Sequence, residues 1–338
     1  MSKAIDLVGK TVLVTGASGF LGSRTVTILS ELGCTVRALV RNTSRTSHLL
    51  LPNVTILRGD VADAESMKLA FDAAEYVIHT AADTGGSEDE GKLSTIQGTN
   101  NILTLCEQFK VKKLVYISSC NVYGVFDYKQ GQVVTEDSSL ERFPEKRGPY
   151  SHAKFEAEQL VTKVMEKRII PIVCLRPGTI YGPGGDVYTP MIGFSFGNRF
   201  FTVIGDGRFV LPLVYVDNLV EAIIVSMINQ NSANNIYNVV DPEKVTKRGY
   251  MEGLVKKLYP ESRTVYVPLS LLKVIVFLQE NLFTLVKKPP VLTMYRLISS
   301  QKPVLYDAEK IRIDLSWIPP VPVDTAYNNI INYEICRS

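Results

Sequence analysis

The chain has 338 residues, 46% apolar and 21% charged, which places it among soluble globular proteins and above the usual size of a single compact core. Its net charge of +3 is spread over scattered, interleaved acids and bases, and this excludes nucleic acid as the main partner. Five cysteines (Cys34, Cys106, Cys120, Cys174, Cys336) stand far apart without metal-ligand spacing, so no metal is expected. Cys34 and Cys174 fall in or beside apolar strand-like runs and read as buried free thiols.

The polar N-terminus lacks an apolar stretch of signal-peptide length, which points to a cytoplasmic protein. The first strand runs from Lys10 to Thr15. It feeds Gly16-Ala17-Ser18-Gly19-Phe20-Leu21-Gly22, and an amphipathic helix follows over 20–32. Strand, glycine-rich turn and helix form the context in which free helix N–H groups receive a pyrophosphate. The second strand, Thr35 to Val40, ends at Arg41. It has no acid for a ribose 2′-hydroxyl, whereas Arg37, Arg41 and Arg45 crowd the region, which favours NADP, with NAD as the alternative.

Val54 to Arg58 reads as the third strand, followed by Gly59-Asp60-Val61, where Asp60 caps the next helix or meets the adenine. The fourth, Tyr76 to His79, runs into Thr80-Ala81-Ala82, small residues against which a cofactor lies. His79 has no acidic partner by spacing and reads as a packing residue. A helix is expected over 91–110, then a fifth strand, Leu114 to Ile117, ending at Ser118-Ser119.

Tyr150-Ser151-His152-Ala153-Lys154 opens a long polar helix after Gly148-Pro149. Four-residue spacing puts the phenol and the ammonium on one face, and a cation held there favours the phenolate. A sixth strand, 169–175, ends in Arg176-Pro177-Gly178 and a glycine- and proline-rich loop through Gly185. Phe194 to Phe201 is aromatic-rich, Val214 to Asn218 opens a further helix, and Asn235 to Val240 looks like another strand. The apolar region 265–286 is broken by Lys273 and by Gln279-Glu280-Asn281, so it is too short for a membrane span. It reads as a core or interface helix, the alternative being a helix resting on a membrane surface or gating an apolar pocket.

Strands alternating with helices over the first 180 residues imply a doubly wound parallel α/β sheet with right-handed crossovers. Ligands bind at the carboxyl ends of such strands, so the Gly16 turn, Asp60, Thr80–Ala82 and Ser119 converge on one edge.

Together with Ser118-Ser119, Val122-Tyr123-Gly124, Tyr150-x-x-x-Lys154 and Arg176-Pro177-Gly178, these motifs resemble the extended short-chain dehydrogenase/reductase family over almost the whole chain. The resemblance implies a Rossmann-type sheet over 1–180 with returning segments near 211–240, and a smaller, discontinuous substrate lobe over 181–338. It implies Tyr150 as general acid/base, Lys154 as ribose ligand and modulator of the phenol, and Ser119 as the group polarising a carbonyl. The dinucleotide would meet Gly16, Ser18, Gly19, Phe20, Leu21, Gly22, Arg37, Arg41, Asp60, Val61, Thr80, Ala81, Ala82, Tyr150, Lys154 and Pro177.

One departure from the family's Asn-Val-x-Gly-Thr-x-Asn is Thr95 in place of the first Asn, Asn101 being kept. Val36 to Arg41 is similar to the dihydroflavonol reductases, and Val214 to Asn218 with the tail to Lys310 to the 3β-hydroxysteroid dehydrogenases. These imply an oxidoreductase interconverting a secondary alcohol and a ketone on an apolar substrate, acting as a homodimer. Gly205-Asp206-Gly207 resembles the nucleotide-sugar epimerases, for which Arg199 and Arg208 would hold a diphosphate. A dehydratase is disfavoured, because Cys120-Asn121 stands where that reaction needs acids.

Overall fold

A computed structural model describes residues 7–82 and 92–337. Gly91, where a helix was expected to begin, and the N-terminal six residues lie outside them. Seven parallel strands form the central sheet: β1 (Thr11–Thr15), β2 (Thr35–Val40), β3 (Val54–Arg58), β4 (Tyr76–His79), β5 (Lys113–Ile117), β7 (Ile172–Pro177) and β12 (Asn235–Val239). Their spatial order is β12-β7-β5-β4-β1-β2-β3. Helices cover both faces of the middle strands, so every residue of β5 and β7 is buried, Lys113 and Arg176 included.

On one face lie α1 (Phe20–Glu31) and α5 (Val216–Ile228), packed through Leu21, Val26, Leu29, Leu219 and Ile223. Bidentate Arg24–Asp217 hydrogen bonds of 2.5 and 2.8 Å join the two helices. On the other face lie α2 (Ala64–Phe71), α3 (Gly98–Gln108) and α4 (Pro149–Lys167), which bury Met67, Phe71, Ile102, Leu105, Ala157 and Val161. A π-helical turn, Lys92–Gln97, precedes α3. The strand order reverses between β1 and β4, so the crevice for a ligand opens at their carboxyl ends.

Short pairs stand outside the main sheet: β6 (Val133–Val134) with β14 (Leu305–Tyr306), and β8 (Thr179–Tyr181) with β11 (Leu213–Tyr215). A three-stranded sheet is formed by β9 (Gly193–Phe196), β10 (Phe200–Ile204) and β13 (Arg263–Val267). Later helices are α6 (Lys247–Tyr250), which runs on through a π-helical turn (Met251–Val255) and a last α-turn (Lys256–Leu258), α7 (Leu269–Leu285), α8 (Met294–Gln301), α9 (Glu309–Leu315) and α10 (Val323–Arg337). Ala326, Tyr327 and Ile330 of α10 and Trp317 return to the principal core, the indole N–H donating to the Asn218 carbonyl at 3.2 Å.

The apolar stretch 265–286 departs from the reading as a core helix. Val265 is in the edge strand β13, and in α7 only Leu272 and Val276 are fully buried. Packing stops there because α7 has a partner on one side only, through Leu297 of α8 and Ile204.

Candidate active site

The turn after β1 is shaped by glycine. Gly16 has φ +66° and its hydrogen faces the Ala81 backbone; a Cβ there would lie 2.8 Å from Ala81 N. A Cβ on Gly22 would sit 2.1 Å from the Gly16 carbonyl oxygen, so helix and turn approach only without side chains. Gly19 caps α1 with no side-chain acceptor, and the first turn holds no acid. Its N–H groups and positive dipole end are therefore left for an anion. Thr80 closes the crevice by donating to the Thr15 carbonyl at 2.7 Å.

Two cavities meet at Gly16, Gly19, Thr80 and Ala82. One, of about 320 Å³, is lined further by Ser18, Arg41, Ser44, Gly59, Asp60, Val61 and Ala81. The other, of about 420 Å³, reaches Phe20, Leu21, Gly22, Ser119, Tyr150, Lys154 and Pro177. A glycine cradle leading from a helix N-terminus into an elongated double cavity fits a dinucleotide, the first cavity taking the adenosine half and the second the nicotinamide half.

Of the expected ligands only Arg37 is turned elsewhere. Its guanidinium donates to the Ala70 (3.0 Å) and Leu69 (2.5 Å) carbonyls at the end of α2, because its place in β2 aims it at that helix. Arg45 is exposed and lines neither cavity. Arg41 does line the first cavity, and its loop is held by Arg58, which donates to the Arg41, Asn42 and Ser44 carbonyls. Asp60 accepts from Ala62 N at 2.9 Å and shapes the cavity wall. Capping of α2 falls to Asp63, which accepts from Glu65 and Ser66 N–H. The Val61 carbonyl accepts from the retained Asn101 side chain at 2.9 Å.

Tyr150 stands in the first turn of α4, behind Pro149 and a Gly148 at φ +98°. It lines the second cavity together with Ser119, whose hydroxyl oxygen accepts from Asn121 N at 3.1 Å. Burial raises the phenol above its ordinary value and the neighbouring Ser119 hydroxyl pulls it back. One turn on, buried Lys154 donates to the Ile117 carbonyl at 2.7 Å. Desolvation brings its ammonium down to about 8, against the opposing pull of Cys174 and Glu158. His79 is a packing residue, as its spacing implied: Thr15 Oγ1 lies 2.7 Å from Nδ1 and Thr99 Oγ1 3.2 Å from Nε2. Burial, with the Lys154 charge, lowers the imidazole to about 3 and keeps it neutral.

Beneath the site is a buried ion pair that the sequence reading missed. Arg176 Nη2 reaches Glu158 Oε1 at 2.6 Å and its Nε lies 3.2 Å from both carboxylate oxygens. Ser118 donates to the same carboxylate, and Arg176 also donates to Tyr123 Oη at 2.8 Å. The Tyr123 hydroxyl in turn donates to Asn238 of β12 at 2.6 Å. The signal was present: Tyr150, Lys154 and Glu158 repeat every four residues on one face of α4. Met191, Pro212 and Tyr306 complete the second cavity. Among the described residues its only charged lining group is Lys154. Arg199 and Arg208 line neither cavity; Arg208 is exposed and faces Asp206 at 3.6 Å. No group of His, Cys, Asp and Glu among the described residues could hold a metal ion.

Residues 12–239 match the NAD dependent epimerase/dehydratase family. The chain is 28% identical over 296 residues to 3beta-hydroxysteroid-dehydrogenase/decarboxylase isoform 1 of Arabidopsis thaliana, covering 82% of this chain and 66% of that protein. It is 31% identical over 300 residues to short-chain dehydrogenase/reductase family 42E member 1 of Homo sapiens, covering 80% and 73%. The chain thus spans about two thirds of the length of the Arabidopsis relative. Among solved structures, the epimerase Mth375 of Methanothermobacter thermautotrophicus superposes with a TM-score of 0.79 at 19% identity, covering 100% of this chain and 95% of that one. The likeness is one of fold.

Proposed function

The chain belongs to the NAD-dependent epimerase/dehydratase family, and from that footing we propose that it is a dehydrogenase/reductase of an apolar secondary alcohol or ketone. What carries this reading is the lining of the catalytic cavity. Ser119, Asn121, Tyr150 and Thr179 supply the hydroxyl and amide groups, and Ile180, Met191, Pro212 and Tyr306 supply apolar surface. Lys154, already bonded to the Ile117 carbonyl, is its one cation among the described residues. A sugar diphosphate would need further charge there, and the arginines available for it face elsewhere.

The nicotinamide, when bound, supplies or takes the hydride. Ser119 and Tyr150 hydrogen-bond the substrate oxygen, and Tyr150 gives or receives its proton. Lys154 holds the ribose and keeps positive charge beside the phenol. Tyr150 serves the reductive direction in its protonated form, which burial favours. The test is to offer ketosteroids, flavonols and nucleotide sugars while following NAD(P)H absorbance. Net oxidation of NAD(P)H with an apolar ketone is expected; turnover of a nucleotide sugar without net change would overturn the reading.

We infer that NADP is the preferred dinucleotide, because Arg41 lines the first cavity and no acid follows β2. One lost hydrogen bond to a charged group costs about 1.5–3 kcal/mol. Arg41→Ala is therefore expected to weaken NADPH roughly tenfold to a hundredfold. NADH should change little, and Arg37→Ala should leave the preference untouched. Dissociation constants from the quenching of protein fluorescence decide it, and equal losses for both dinucleotides would remove Arg41 from the 2′-phosphate.

A further inference from the structure

Helix α7 turns its apolar side outward. Leu271, Val274, Ile275, Leu278, Leu282 and Leu285 fall within an arc of about 100° on the helical wheel. All are exposed, Leu278 by 61% and Leu285 by 80%. The opposite side, through Leu272 and Val276, packs on Leu297 of α8 and on Ile204. Such a stripe usually faces a core; here the core lies on the other side.

The strand leading into α7 continues the pattern. On the open face of the three-stranded sheet, register places Phe196, Phe200 and Arg263 in one row and Phe194, Thr202 and Val265 in the next. The three phenylalanines and Val265 are exposed. Neighbouring apolar residues in this number are unusual on a protein that stays in water.

Charge selects the occupant. Residues 263–291 carry Arg263, Lys273, Lys287 and Lys288 against one acid, Glu280. That acid is engaged on the packed side, accepting from Met294 N at 3.0 Å. A second copy of the chain would bring the same cations together across a two-fold axis, whereas an anionic surface would neutralise them. At 1.5 Å per residue the 17-residue α7 is about 25 Å long. That is less than the ~30 Å hydrocarbon core, so it suits a position in the plane of a bilayer.

We propose that α7, with the phenylalanine face beside it in the chain, docks the protein on an anionic lipid bilayer. Leu278 and Leu282 enter the acyl boundary, and Lys287 and Lys288, just past the end of α7, meet the head groups. A cavity of about 850 Å³ at the root of α7 is lined by Tyr266, Pro268, Leu269 and Gln301 together with the charged Asp206, Arg208 and Lys247. The Gln301 side chain donates to the Met191 carbonyl at 3.1 Å, and Met191 lines the catalytic cavity. Docking does not depend on the proposed reaction, since none of its residues touches Tyr150 or the dinucleotide cradle.

The full-length protein should float with phosphatidylcholine vesicles containing phosphatidylserine at least tenfold more than with phosphatidylcholine alone, and added salt should release it. Leu278→Glu with Leu282→Glu should lose at least tenfold of this binding and keep NADPH affinity, which reports on folding. Lys287→Glu with Lys288→Glu, far from any packed surface, should lose the preference for anionic lipid. Wild-type protein that stays off phosphatidylserine vesicles, or variants that float as it does, would overturn the proposal. So would a leucine variant that floats normally but passes from dimer to monomer on size exclusion, because the face would then belong to a second copy.

Discussion

Tyr150→Phe is expected to lower kcat by about 10²- to 10⁴-fold, the range of a positioned general acid. The change removes one oxygen from a ring held in the first turn of α4, so the packing of that turn survives. Affinity for NADPH should stay within about twofold, because the phosphate cradle is made by Gly16, Gly19 and Gly22 on the other side of the cavity. Steady-state kinetics with fluorescence titration of the dinucleotide checks both parts, and unchanged kcat would end the proton role. The pH profile adds a sign. Burial holds the phenol above its ordinary value, so it is protonated through the neutral range and ready to donate. Lys154, brought down to about 8 by desolvation, loses its charge as pH rises through that value. Reductive turnover should therefore fall above about pH 8, and the residual activity of Lys154→Met should lack that limb.

What could be read from sequence followed the range of the interactions. The Gly16 turn, the strand ends at Thr80 and Ser119, and the Tyr150–Lys154 pair are local patterns, and the parallel sheet brings them to one crevice. Arg37 misled because a basic residue on β2 marks a position along the strand, not the side to which it points. Only the placement of α2 shows that its guanidinium closes a helix end. Asp60 and Asp63 are three residues apart, and either could cap α2; the hydrogen bonds choose Asp63. The region 265–286 is apolar enough for a core. Sequence records apolar character but not how many sides of a helix are covered, and α7 is packed on one side only. The Arg176–Glu158 pair was hidden because its partners come from a strand and a helix 18 residues apart, joined only by packing of α4 on β7.

That pair carries the second large effect. Glu158 and Arg176 are both buried, and desolvation works against the guanidinium until the Glu158 carboxylate outweighs it. A buried pair in this state contributes little compared with an apolar pair of the same volume, but removing one partner strands the other. Glu158→Ala leaves the Arg176 charge among Tyr123, Cys174 and the Glu136 carbonyl, and is expected to cost about 3–5 kcal/mol in urea unfolding. Arg176→Met should cost a similar amount, since the carboxylate then keeps only Ser118 and the Cys174 thiol. Glu158→Leu with Arg176→Met should recover much of the loss, so that the double-mutant cycle gives a coupling of roughly 2 kcal/mol or more. Additive losses would show that the ion pair is not the stabilising contact. Glu158→Gln, which keeps volume and hydrogen bonding but not charge, separates stability from function. The carboxylate supports the Lys154 ammonium from one turn away, so its neutralisation lowers that group further. The falling limb of the pH profile should then move below pH 8 in a protein that still folds, tying the buried pair to the proton chemistry of Tyr150 above it.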